Sequence, residues 1–119
     1  MLLVASFDRS ARAQKNGGAY DAVIWKLTEW TILSAASRFC SGLNVNEAEY
    51  NGLLLCSEIL AKQTRGRVIV CSDSNLVIRQ MRGDIVCTAS ELHLLRHKAL
   101  DQLRSWTVHE FLHIKRDWN

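Results

Sequence analysis

Proline is absent from the 119-residue chain, so no proline-rich linker divides it. Cysteine is sparse: Cys40, Cys56, Cys71 and Cys87 stand far apart and form no CxxC pair, which argues against a sulfur-ligated metal. Most of them lie within apolar segments, the pattern of buried free thiols in a reducing compartment rather than of bridges. Long apolar runs are missing as well, and none reaches the length of a bilayer span. The opening MLLVASF is too short for the apolar region of a signal peptide and gives way to a charged loop. We therefore expect an intracellular protein, in cytoplasm or nucleus, with no membrane partner. No repeat or low-complexity tract interrupts the chain, whose length suits one domain with a real core and not two. Neither charge is in strong excess: a net charge of +3 fits a polyanionic partner without demanding one. Arg9, Arg12 and Lys15 crowd one early stretch, Lys62, Arg65 and Arg67 another, and Lys115 with Arg116 a third. Solvated surface is the default explanation for such clusters. Hydrophobic and charged shares of 48% and 23% are those of an ordinary globular domain.

The most informative stretch runs from Arg67 to Gln80. Val68 to Cys71 form a short unbroken apolar run of the kind seen in strands buried on both faces, and Leu76, Val77 and Met81 then recur at helical spacing. Between them stands Asp73, at the strand's carboxyl end, where open α/β sheets place their functional crevice. Its plain alternative role is to cap the helix that follows. Leu2 to Phe7 reads as a strand that also ends in an acid, Asp8. Asn16, Gly17 and Gly18 then signal a turn, and Ala19 to Trp25 and Trp30 to Phe39 read as second and third strands. Asn44 to Lys62 is a helix apolar around much of its circumference, with Asn46 as its N-cap. Gly83 stops the second helix. Thr88 and Glu91, at capping-box spacing, open a third helix that runs to Arg104, and Val108 to Ile114 is the fifth strand. The order β-β-β-α-β-α-α-β implies an α/β domain with a five-stranded mixed sheet: three antiparallel strands, then two that return parallel through right-handed crossovers.

Three carboxylates on separate elements, Asp8, Glu49 and Asp73, have the chemistry to hold hard divalent cations. A pair of such cations stabilises the attacking and leaving oxygens of phosphoryl transfer. Against this, Asn46 and Glu49 also have the spacing of a cap and its reciprocal acid, and Glu47 reads as a solvent-facing first-turn charge. His93 and His97 stand at metal-ligand spacing with no third ligand nearby, so a surface role fits them better. Trp25, Trp30, Trp106 and Trp118 could stack on bases, though scattered tryptophans more often belong to core or edge.

FDRSA at Phe7 to Ala11, NVNEAEYNGLL at Asn44 to Leu54, CSDSNLVIRQMRG at Cys71 to Gly83 and HIKRDWN at His113 to Asn119 together resemble type 1 ribonuclease H. More narrowly, they are similar to the domains of retrotransposon polyproteins and to plant-type domains. The resemblance covers nearly the whole chain, and NEAEY followed by SDSNLVIRQ is its most specific part. It implies a ribonuclease H-like fold and a metal-dependent endonuclease that cuts the RNA strand of RNA/DNA hybrids. Two Mg²⁺ ions, replaceable by Mn²⁺, would be held by acids: Asp8 bridging both, with Glu49 and Asp73 completing one site. It also implies substrate contacts at Asn46, Ser74 and Asn75, and possible auxiliary roles for His113, Arg116 and Asn119. Glu49 is chosen over Glu47 because it directly precedes the position held by Tyr50.

Two departures qualify that resemblance. Arg9 replaces the family's usual glycine after the first acid, and either crowds the substrate backbone or supplies a phosphate contact, as Arg12 would. The family's fourth acid, on a last helix beyond the position of Asn119, has no counterpart, and Asp117 falls in the loop before it. The resemblance therefore implies a single domain over residues 1–119 that is truncated before its last helix. It also implies a weakened metal site and an uncovered sheet surface open to self-association. The alternative function is a catalytically silent nucleic-acid-binding or connecting module of a retroelement polyprotein. A weaker one is another nuclease or polynucleotidyl transferase built on the same sheet.

Overall fold

β1 (Leu2–Arg9) is the axis of a five-stranded sheet, flanked on one side by β2 (Ala19–Lys26) and then β3 (Thr31–Phe39), and on the other by β4 (Arg67–Ser72) and then β5 (Thr107–His113). The first three strands pair antiparallel, whereas β1, β4 and β5 run parallel. Helices α1 (Val45–Leu60), α2 (Asn75–Arg82) and α3 (Ser90–Gln102) complete the order expected from the sequence. This computed structural model describes residues 2–9, 19–39 and 41–115. The expected turn at Asn16 to Gly18, and Cys40, lie outside them. Among the described residues no helix follows β5, and none is long and apolar enough to cross a membrane.

Alternation along β1 builds the core. Leu3, Ala5 and Phe7 are buried on one face, in register with Ile24 and Ala22 of β2 and with Val68 and Val70 of β4. α1 covers that face with Tyr50, Leu53 and Leu60. A Cβ built at Gly52 would stand 3.5 Å from side-chain atoms of Phe7 and Tyr20, and Cys56 Sγ donates to the Ser6 carbonyl at 3.8 Å. Moving back along α1 thus means moving forward along β1, so the first turns of α1 overlie the carboxyl end of β1. A contact of 3.5 Å is ordinary packing, and glycine inside a helix is less stable than alanine by about 0.5–1 kcal/mol. Gly52→Ala should therefore raise the unfolding free energy by about that amount, seen as a higher denaturant midpoint at unchanged slope, whereas leucine at Gly52 would force α1 away from β1.

Several boundaries differ from the sequence reading. Trp30 lies in the turn before β3 at a φ of 50°, outside the range a strand allows. Asn44, not Asn46, caps α1: its side-chain oxygen accepts the Glu47 N–H at 2.8 Å while Glu47 Oε1 accepts the Asn44 N–H at 3.0 Å. Glu47 is accordingly a half-buried capping acid rather than a solvent-facing one. α3 begins after Ala89, which makes no side-chain cap, so Thr88 and Glu91 do not act as a capping box. Gly83 does close α2, at a φ of 83°, with its N–H on the Gln80 carbonyl at 3.1 Å.

Candidate active site

β1 continues past Phe7, so Asp8 is a strand residue rather than the first residue beyond the strand. It is half-buried, with Oδ1 out of reach of solvent. Because Phe7 points toward α1, Asp8 shares the opposite face with Val4 and Ser6. Ser6 lies opposite Cys71 in the parallel register, and continuing that register brings Asp8 level with Asp73, just beyond β4. Both acids line one concavity of about 580 Å³, together with Ser6, Trp25, Cys71 and Leu112.

Asp73 does not cap α2. Ser74 does: its hydroxyl oxygen accepts the Val77 N–H at 3.4 Å, and the Ser72 hydroxyl oxygen accepts the Ser74 N–H at 3.1 Å. His113, the last residue of β5, sits beside the same turn, with Nε2 3.2 Å from the Asp73 carbonyl, which accepts its proton. Asn75 opens α2 and is exposed, Asn46 is half-buried in the first turn of α1, and Arg9 ends β1 across from Tyr20. Arg12, Arg116 and Asn119 lie outside the described residues.

Glu49 is half-buried one turn before Gly52, over the Asp8 end of β1 and on its helix-covered side. It does not line the concavity shared by Asp8 and Asp73. Among the described residues, no three His, Cys, Asp or Glu side chains close into a group able to hold a cation. One further acid escaped the sequence reading: Asp21 of β2 lies directly opposite Asp8. Its place follows only from the hairpin register, and two like charges so paired repel each other. His93 and His97 are exposed on α3, their rings 5.9 Å apart. Of the tryptophans, Trp25 and Trp30 line the concavity and Trp106 is in the core.

Burial pushes the Cys71 thiol up from 9.0 to about 11, so beside the two acids it stays protonated at neutral pH. Burial also raises Cys56, helped by Cys71 nearby, and Tyr50, helped by Cys87. An unfolded chain loses these protons first. Above pH ~9 it binds fewer protons than the native state, so stability declines as pH rises, by about 1.4 kcal/mol per pH unit for each group so affected. Urea midpoints should hold steady with respect to these groups near neutrality and drop between about pH 9 and 11.

A mixed sheet of this order, with acids at the neighbouring carboxyl ends of two parallel strands, defines a ribonuclease H-like α/β protein. The sequence model of the family described as Reverse transcriptase-like matches residues 6–119, and the chain belongs to that family. Among solved structures it is similar to the N-terminal RNase H domain of rv2228c from Mycobacterium tuberculosis, determined as a fusion with maltose binding protein. The TM-score is 0.89 and the identity 25%, over 99% of this chain and 85% of that one. LC11-RNase H1 in complex with RNA/DNA hybrid gives a TM-score of 0.85 at 25% identity, over 98% and 88%. RNase H1 from Halobacterium salinarum, at 0.87 and 22% over 99% and 89%, shares the fold. The bifunctional protein Rv2228c of M. tuberculosis is 30% identical over 83 residues, 70% of this chain and 23% of that protein. The chain thus matches only about a quarter of the length of its curated relatives.

Proposed function

We propose that the domain is a ribonuclease H that hydrolyses the RNA strand of RNA/DNA hybrids. The observation that carries this reading is the shared lining of Asp8 and Asp73, in the fold of a relative captured on such a hybrid. The donor set suits Mg²⁺ or Mn²⁺: carboxylate oxygens are present, and the one thiol alongside is held protonated. Mg²⁺ commonly keeps several waters and needs only one or two carboxylates plus substrate phosphates, so two acids in one concavity are enough to admit it. Asp8 and Asp73 would hold the cations, and Glu49 would complete their site from α1. When bound, two such ions polarise the scissile phosphate and activate the attacking water.

The remaining residues bind and orient. Asn46 and Asn75 stand at the starts of α1 and α2 for backbone and sugar contacts, with the capping Ser74 between Asp73 and Asn75. Arg9 and Arg12 offer charge to phosphates, and the 2′-hydroxyls mark one strand as RNA. His113 steadies the Asp73 turn through its carbonyl, while Arg116 and Asn119 would serve as auxiliaries. The free thiols fit a reducing intracellular setting. The match to only part of a bifunctional relative, and the family's name, fit a domain that works within a longer polypeptide, of which a retrotransposon polyprotein is one kind.

End-labelled RNA/DNA hybrid, incubated with Mg²⁺, with Mn²⁺ and with excess chelator, tests the reading. The expected result is cutting of the RNA strand with either metal and none with chelator, double-stranded DNA being left intact. Hybrid bound firmly but never cut would favour the silent module, and cleavage of double-stranded DNA would favour another nuclease of this fold.

A further inference from the structure

Tyr50 and Gln80 lie outside the concavity, yet they join the two helices on which the proposed acids depend. Tyr50 follows Glu49 in α1 and is wholly buried. Its hydroxyl donates to Gln80 Oε1 at 2.6 Å. Gln80 is 4% exposed and sits on α2, the short helix that begins immediately after Asp73 and its capping Ser74. The Gln80 backbone carbonyl in turn accepts the Nε–H of Arg96 from α3 at 2.9 Å. A polar chain thus runs through the packed interior across three helices, where phenylalanine and leucine would have served packing alone. α1 rests broadly on α3 and the sheet but touches α2 only lightly, so the hydrogen bond is a principal restraint between α1 and α2. A satisfied buried network of this kind fixes one relative placement of the parts it joins.

We infer that the Tyr50–Gln80 hydrogen bond is a positioning device that sets Glu49 of α1 against Asp73 at the head of α2. This rests on the reading of those acids as cation ligands. Tyr50 touches no substrate and acts only through Glu49.

Titration calorimetry of Mn²⁺ into the full chain, free of nucleic acid, tests this directly, alongside the Mg²⁺ half-saturation of hybrid cleavage. Tyr50→Phe keeps the ring and deletes the donor; Gln80→Met keeps the volume and deletes the acceptor. Each should weaken Mn²⁺ binding by about tenfold and raise the Mg²⁺ requirement in step, and the double variant should be no worse than either single one. A purely structural bond would lower melting temperatures and leave both metal readouts unmoved, which would overturn the inference. Asp73→Asn separates the two levels. If it abolishes Mn²⁺ binding while the Tyr50 and Gln80 variants bind normally, the positioning role fails and the nuclease reading stands. If the wild-type chain takes no Mn²⁺, or Asp73→Asn binds as wild type does, both fall together.

Discussion

Asp73→Asn should cost the domain at least about a hundredfold in hybrid cleavage while leaving it as well folded as before. Changes to residues that only hold a metal's ligands in place already cost about 10- to 100-fold, and removing one group that stabilises transition-state charge costs about 10²- to 10³-fold, so loss of a direct ligand belongs at or beyond the upper end. Stability should not follow, because the cap of α2 is supplied by Ser74 and asparagine keeps the size of aspartate. Without divalent cations the variant should even melt slightly higher, since Asp8 and Asp73 face the same concavity and Asp21 stands opposite Asp8. Neutralising one of several crowded like charges relieves repulsion. Added Mg²⁺ should then raise the wild-type melting temperature by mass action and leave the variant where it was. Melting curves with and without Mg²⁺, beside single-turnover cleavage, read all of this in one preparation. Full cleavage by the variant would remove Asp73 from the chemistry.

Much of this arrangement could be read in the linear chain. The apolar run ending in Asp73, the buried helix around Leu53 and the αL stop at Gly83 are each fixed by local chemistry, and each is where it was expected. Overlapping local signals were not decidable. Asn44 with Glu47 and Asn46 with Glu49 offer the same capping spacing, and spacing alone cannot choose between them. Packing does: with Asn44 as the cap, Leu43 ahead of it packs against the core and Ala48 is fully buried, whereas Val45, which would take Leu43's place in the other register, is 47% exposed. Asp21 was illegible for a different reason. Its nearness to Asp8 is a property of strand pairing across a hairpin, and nothing within its own few neighbours announces it. The grouping of Asp8 with Asp73 follows from a parallel crossover, which the element order implies but whose register only the sheet itself fixes.

The capping register also turns two neighbouring acids into a sharp comparison, and here the second large effect is expected. Had Glu49 been the reciprocal acid of the cap, its loss would be a matter of helix stability. Glu47 fills that role, and Glu49 is left on the turn above the carboxyl end of β1. Glu49→Gln should therefore lower hybrid cleavage by about a hundredfold or more and shift the denaturation midpoint little. Glu47→Gln should be nearly silent in both, because glutamine at the third helical position still accepts the backbone N–H of the cap residue. Glu47→Ala removes that acceptor and should cost about 0.5–1 kcal/mol of stability with cleavage retained at temperatures well below melting. The pattern is diagnostic because the variants lie on one turn of one helix and differ in which function they remove. If cleavage instead collapses with Glu47 and survives loss of Glu49, then the acid that works with Asp8 and Asp73 is the capping one, and α1 must present its start to the substrate rather than its second turn.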